Sequence, residues 1–117
     1  MSNITRIEVG PRMSQAVVVN GIVTTAGIVA LRAPGASVGE QTKDILDRID
    51  ELLAAAGSDK SKVVSGTIWL ADIAMFNEMN EVWDNWVVRG STPVRACVES
   101  RLAAPQFIVE IQVTATT

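Results

Sequence analysis

The sequence of 117 residues contains no histidine, no tyrosine and a single cysteine, Cys97. Without histidine, the protein cannot use an imidazole as a general base, and the common zinc sites that need imidazole ligands are excluded. A single cysteine also excludes an intrachain disulfide and any Cys-x-x-Cys site. We therefore expect neither a metal nor a cofactor.

Charged residues are also scarce, at 20% of the chain, and the net charge is −3. An acidic protein lacks the basic surface that binds a polyanion, so we expect no nucleic-acid partner. No charged-then-apolar leader and no apolar run of membrane-spanning length is present, which predicts a cytoplasmic protein with no membrane association. The hydrophobic content of 48% exceeds what a compact monomer hides easily and indicates subunit contacts.

The length predicts a single domain over residues 1–117. Alternating apolar residues predict a strand at Ile4–Val9, and two β-rich runs, Gln15–Val19 and Ile22–Val29, flank Asn20-Gly21. Asn-Gly between β-rich runs is the strongest short hairpin signal, so we predict that these runs pair.

Two helices are predicted by apolar spacing and by end signals. The first begins at a capping box from Ser37 to Glu40 and ends at Gly57. The second is capped by Asp72 and ends at Gly90, and its Met and Trp side chains are expected in the core. The stripe residues are Ile45, Leu46, Ile49, Leu52, Leu53 and Ala56 in the first helix, and Phe76, Met79, Trp83, Trp86 and Val87 in the second.

Between the helices, Val63–Leu70 alternates as a strand, and two more strand candidates, Val94–Ser100 and Phe107–Ala115, follow with a turn at Pro105. The resulting order, ββ-α-β-α-ββ, predicts an α+β two-layer sandwich in which two helices lie on one face of a mixed sheet.

Possible chemistry lies in the last two strands. Strand alternation places Arg95 and Cys97 on one face, and hairpin pairing of the two strands would put Cys97 across from Glu110 and Arg95 across from Gln112. Arg95 could then bind a carboxylate through its planar donors, Glu110 could hold a water, and Cys97 could form the pocket wall. From the residues alone, the alternatives are a solvated or Glu110-paired Arg95 and a buried, unreactive Cys97.

The segment Thr92-Pro93-Val94-Arg95-Ala96-Cys97-Val98-Glu99, followed by Val109-Glu110-Ile111, resembles the signature of the Rid family, the YjgF-type reactive-intermediate deaminases. The stretches 58–61 and 82–88 are most similar to the YoaB-like branch. Further matches follow in family order at Gly10-Pro11, Thr25-Ala26-Gly27, Leu53-Ala54-Ala55-Ala56-Gly57, and from Ile68 through Asp72 and Phe76 to Asn80.

The resemblance implies a chorismate-mutase-like fold and a homotrimer with clefts between subunits. It also implies an enzyme of the 2-iminobutanoate/2-iminopropanoate deaminase type, which hydrolyses 2-imino acids or their 2-aminoacrylate tautomers to 2-keto acids and ammonia. The implied catalytic residues are Arg95, which binds the substrate carboxylate, with Glu110 and carbonyls near Cys97 and Gly27 positioning a water. The implied substrate-binding residues are Arg95, Gly27, Ala26, Met13 and Asn80.

The chain departs from the family pattern at two positions. Ala26 stands where a serine is expected, and Met13 stands where an aromatic residue is expected, so two pocket hydroxyls are missing. Three alternatives therefore stay open: a non-catalytic module that binds keto acids, a catabolic deaminase of a larger unsaturated amino acid, and a ribonuclease, a label often attached to this family. The lack of histidine and the acidic balance argue against the ribonuclease.

Overall fold

In the computed structural model, which describes residues 3–117, a seven-stranded sheet carries two α-helices on one face. The predicted α+β two-layer class is confirmed. Residues 1 and 2 of the predicted domain lie outside the described residues. In chain order the elements are β1 (Ile4–Val9), β2 (Ser14–Val19), β3 (Ile22–Thr25), β4 (Ile28–Val29), α1 (Val38–Ala55), a 3-10 turn (Lys60–Lys62), β5 (Val63–Leu70), a second 3-10 turn (Ile73–Met75), α2 (Phe76–Trp86), β6 (Val94–Glu99) and β7 (Val109–Thr116).

The strands lie in the order β1-β2-β3-β7-β5-β6, and β4 also pairs with β7. The pair β5 and β6 is parallel, whereas the other pairs are antiparallel. The parallel pair is joined by α2, as expected for a strand-helix-strand unit, whose crossover returns the chain in the same direction.

The predicted hairpin between the last two strands is wrong. Strand β5 lies between β6 and β7, so that Ile68 has Cys97 on one side and Ile111 on the other. Cys97 therefore does not lie across from Glu110, and Arg95 does not lie across from Gln112. The physical reason is that β6 is already committed to β5 by the α2 crossover, which leaves β7 to pair on the other edge of β5.

The hairpin at Asn20-Gly21 is confirmed, since Val19 pairs with Ile22. Both turn residues have positive φ, 51° and 74°, which is the type I′ geometry that favours asparagine and glycine. The predicted run Ile22–Val29 is interrupted at residues 26 and 27 and forms two short strands, β3 and β4. Strand β1 adds an edge to the sheet beyond the predicted pair.

The start of α1 follows the prediction, because the Glu40 amide donates to Ser37 Oγ at 3.2 Å and the helix is followed by Gly57 at φ 79°. Asp72 caps the second 3-10 turn, where it accepts from the Ala74 amide, rather than α2 itself. The second helix ends at Trp86, earlier than predicted.

The core lies between the sheet and the helices. The apolar stripes of α1 and α2 meet alternate residues of β5 and β7, including Ile68 and Ile111, which are fully buried. On the opposite face, no element within residues 3–117 covers the sheet, and Val98 of the edge strand β6 is 46% exposed. No helix of the described part is long and apolar enough to cross a bilayer.

Candidate functional site

Arg95 lies on β6 and points toward α2. Its Nη1 donates to Asn80 Oδ1 at 2.7 Å, and its guanidinium carbon lies 5.6 Å from the Phe76 ring centre and 5.4 Å from the Trp83 ring centre. These three α2 residues have the spacing i, i+4 and i+7, which places them along one side of a helix. An arginine on the neighbouring strand is thus held by an amide and two aromatic rings.

The positive charge of Arg95 is not neutralised by its neighbours. Within residues 3–117 it forms no ion pair, and its single hydrogen-bond acceptor is the neutral Asn80 amide. By contrast, Arg32 and Arg48 are both hydrogen-bonded to Glu51, and contacts of this kind raise the pKa of both guanidinium groups. Arg95 is therefore oriented and free to bind an external carboxylate.

Glu110 lies on β7, between Val29 of β4 and Trp69 of β5. Its carboxylate packs directly against Gly27, where an added Cβ would lie 2.1 Å from Glu110 Oε2. A side chain at position 27 would therefore force the Glu110 carboxylate to move. Next to Glu110 on the same face, Gln112 Nε2 donates to the carbonyl of Thr25 at 2.9 Å, which ties β7 to the end of β3.

Arg95 and Glu110 are not neighbours within one chain. The paired residues Cys97, Ile68 and Ile111 share the helix-covered face, so Arg95 faces the helices, whereas Glu110 faces the uncovered side. The predicted single cluster is therefore wrong for an isolated chain, because β5 separates the two strands and the two side chains leave the sheet on opposite faces.

The predicted site residues instead fall into two groups. The first, which we call the Arg95 half-site, contains the predicted residues Arg95, Asn80 and Cys97, and the structure adds Phe76 and Trp83. The second, which we call the Glu110 half-site, contains Glu110, Gly27, Ala26 and Met13.

Within the Glu110 half-site, Met13 is 50% exposed and lines a cleft of about 450 Å³ together with Gly27, Val29 and Leu31. Ala26 is anchored by its amide, which donates to the Gln15 carbonyl at 2.8 Å. Met13 and Gly27 therefore border the same cleft, whose other walls carry charged side chains such as Arg32, Arg48 and Glu51.

Cys97 is partly buried beside Arg95. Burial raises the pKa of the Cys97 thiol above its ordinary value, and the positive charge of Arg95 lowers it by a smaller amount. The thiol is therefore protonated at neutral pH and is not an activated nucleophile. A role for Cys97 is restricted to its shape and its main-chain groups.

No three His, Cys, Asp or Glu side chains converge as metal ligands within residues 3–117. Sequence reasoning assigned Phe76 and Trp83 to the core, and Trp83 is indeed buried, but both rings also flank Arg95. Their spacing relative to Asn80 on one helix was the signal that could have found this second role.

The fold and the two half-sites define a small-ligand-binding protein of the two-layer α+β class. Residues 4–117 match the family model described as Endoribonuclease L-PSP. The RutC family protein YoaB of Escherichia coli strain K12 is 39% identical over 112 residues, which cover 96% of each chain.

A human protein named 2-iminobutanoate/2-iminopropanoate deaminase is 31% identical over 112 residues, covering 92% of this chain and 80% of that protein. The crystal structure of a YjgF-family protein from Neisseria meningitidis has 46% sequence identity and a TM-score of 0.95, covering 98% of this chain and 95% of that one. The chain belongs to the Rid (YjgF) family, in its YoaB-like branch, as the resemblance predicted.

We predict that Gly27→Ala destabilises the protein through Glu110. The new Cβ would overlap Glu110 Oε2, so the flexible Glu110 side chain must turn away, and the free energy of unfolding should fall by at most about 1.5 kcal/mol, the cost of a side chain forced off its preferred rotamer. The measurement is urea unfolding of a double-mutant cycle with Glu110→Ala. Removing the Glu110 side chain should relieve most of the cost, and strictly additive effects would contradict the contact.

We also predict that Cys97 reacts slowly with iodoacetamide. Because the raised pKa favours the neutral thiol, the native protein should contain less thiolate at pH 8 than a free cysteine, whose pKa is about 8.5. The pH dependence of alkylation should have its midpoint above that of the same protein unfolded in urea. A midpoint at or below the unfolded value would contradict the burial argument.

Proposed function

We propose that this protein hydrolyses 2-imino acids to 2-keto acids and ammonia, at a site that two copies of the chain complete. The observation that carries the proposal is the guanidinium of Arg95, which Asn80 and two aromatic rings orient and which forms no ion pair with any residue from 3 to 117. A 2-imino acid presents a carboxylate next to its C=N bond, so a fixed guanidinium both selects this class of substrate and locates the reacting carbon.

The reaction consumes one water. The water oxygen adds to the imine carbon, protons move from oxygen to nitrogen, and the C–N bond breaks to leave a keto group and ammonia. Glu110 is the group that we assign to hold and orient this water, because its carboxylate lies against Gly27, which borders the cleft. Imines hydrolyse readily in water, so orientation and a nearby positive charge are sufficient and a histidine base is not needed.

The half-sites support a site shared between copies. Since Arg95 and Glu110 leave the sheet on opposite faces, Arg95 of one copy must meet Glu110 of another. Such a contact joins two different surfaces of identical chains, and repeated contacts close into a ring when the rotation from one copy to the next permits it. We propose that this ring is the trimer implied by the family. The exposed apolar residues Ile22, Val94 and Val98 on the uncovered sheet face favour burial between copies.

A second candidate is a binding module that holds a keto acid without turnover. The residues at positions 13 and 26 favour it, because Met13 and Ala26 supply no hydroxyl to the reacting atoms. Smaller groups at these two positions are also compatible with a larger unsaturated amino acid as substrate. Although the family model is described as an endoribonuclease, the net charge of −3 and the lack of histidine do not support RNA cleavage by this chain.

We expect the protein to suppress trapping of an imine by semicarbazide when a dehydratase generates that imine from L-threonine or L-serine. Arg95→Ala should lower the rate by about 10–100-fold, because a hydrogen bond to a charged group is lost, and Arg95→Lys should recover only part of it. Arg101→Ala, at an exposed arginine outside both half-sites, is the matched control. Equal suppression by wild type and by Arg95→Ala would refute the deaminase.

Calorimetry with 2-oxobutanoate separates binding from turnover. We expect binding to be lost in Arg95→Ala and retained in Glu110→Gln, because the carboxylate contact is assigned to Arg95. A wild-type protein that binds 2-oxobutanoate through Arg95 but hydrolyses no imine would establish the binding module instead.

Mixing two inactive variants tests the shared site. Arg95→Ala and Glu110→Gln are unfolded together, refolded as a mixture and assayed. In a cyclic assembly each site takes Arg95 from one copy and Glu110 from another, so about one quarter of the sites in an equal mixture should be intact. Each variant refolded separately is the control, and a mixture no more active than the variants would place the site within one chain.

A further inference from the structure

Gln41 occupies a core position of α1. It lies on the same stripe as Ile45 and Ile49, where helical spacing calls for an apolar side chain, and it is fully buried. Burying a primary amide costs free energy unless every polar atom finds a partner. Each polar atom of the Gln41 amide therefore needs a hydrogen-bond partner.

The Gln41 amide joins three segments of the chain. Its Nε2 donates to the carbonyls of Ala36, at 3.2 Å, and Gln106, at 2.9 Å, while its Oε1 accepts from the Ile108 amide at 3.0 Å. The Gln106 carbonyl also accepts from the Gly35 amide at 2.9 Å. Gln41 thus ties α1 and the loop before it to the segment that enters β7.

These hydrogen bonds hold the start of β7, where neighbouring strands form few hydrogen bonds with it. The Ile108 carbonyl accepts from the Ala71 amide just beyond the end of β5, and β4, on the other side, has two residues. Before Ile108 the chain from residue 100 onward is irregular. The Gln41 amide therefore fixes the N–H of Ile108 at the point where the strand would otherwise fray, two residues before Glu110.

We propose that Gln41 is a positioning residue for Glu110, acting through Ile108 and the entry into β7. This inference rests on the proposed function, since it assigns Glu110 the water. It predicts an effect confined to the Glu110 half-site. Arg95 is held by Asn80 of α2 and by β6, which pairs with β5, so none of its supports passes through Gln41.

The test compares Gln41→Met with Thr42→Val. Methionine keeps nearly the shape of glutamine but has no amide, so all three tertiary hydrogen bonds are lost. Thr42 is the matched control, because it is equally buried in the same helix but its hydroxyl bonds only locally, to the Val38 carbonyl at 2.7 Å. Where Gln41→Met folds poorly, Gln41→Leu replaces it, because leucine is also apolar and close in volume and likewise removes the amide.

For Gln41→Met we expect kcat for imine hydrolysis to fall by about 10–100-fold, the loss typical of a small misplacement of a reacting group. The Kd for 2-oxobutanoate should change by less than about two-fold, because the ligand carboxylate is assigned to Arg95, whose supports do not pass through Gln41. Amide hydrogen exchange at Ile108 should become at least about ten-fold faster. Thr42→Val should leave all three quantities near the wild-type values.

Two outcomes would overturn the inference. Equal losses of kcat and of ligand binding in Gln41→Met and Thr42→Val would show a general loss of packing in α1. Faster exchange at Ile108 with an unchanged kcat would show that the loop does not control Glu110. If wild type hydrolyses no imine, the proposed function fails separately, and a crystal structure of Gln41→Met with Glu110 unmoved would then overturn the positioning role.

Discussion

Strand β5 separates the two charged groups on which the proposed chemistry depends. It pairs with β6 on one edge and with β7 on the other, and side-chain alternation then sends Arg95 and Glu110 to opposite faces. Helices cover the Arg95 face, but β6 is an edge strand, so its guanidinium lies at the margin of the sheet rather than under its middle. A second chain can therefore approach Arg95 from the side. The topology of one chain thus makes a shared site the arrangement in which both groups can contact one small substrate.

The secondary structure could be predicted from the sequence because its signals are local. The Asn20-Gly21 turn, the Ser37 cap and the alternation in Val63–Leu70 each depend on residues close together in the chain. Strand pairing depends on distant contacts, and there the prediction of a terminal hairpin was wrong. The information needed was nevertheless present, since a strand, a helix and a second strand form a unit whose strands are parallel. Applying this rule to β5, α2 and β6 would have left β7 for the other edge of β5.

The site was predictable to a different extent in its two halves. Resemblance pointed to Arg95, Asn80 and Cys97, which the structure places together, and to Glu110, Gly27, Ala26 and Met13, which it places elsewhere. The separation follows from strand order, which a motif does not contain. Gln41 lies before the apolar stripe predicted from Ile45 onward, although a glutamine one helical turn before Ile45 on the same face is itself a sign of a buried hydrogen-bonding role.

The surroundings of Arg95 favour an anionic ligand over a structural ion pair. Near α1, Arg32 and Arg48 form ion pairs with Glu8, Asp44 and Glu51, and the hydrogen bond from Arg32 keeps the pKa of Glu51 below its usual range. The groups around Arg95 are neutral instead: an amide and two aromatic rings orient its guanidinium without supplying a negative charge. A partly buried cation left in this state gains most from a carboxylate that arrives from outside. A neutral ligand of the same size would leave that charge uncompensated, so under the proposed function we expect the Arg95 half-site to favour carboxylates over neutral ligands.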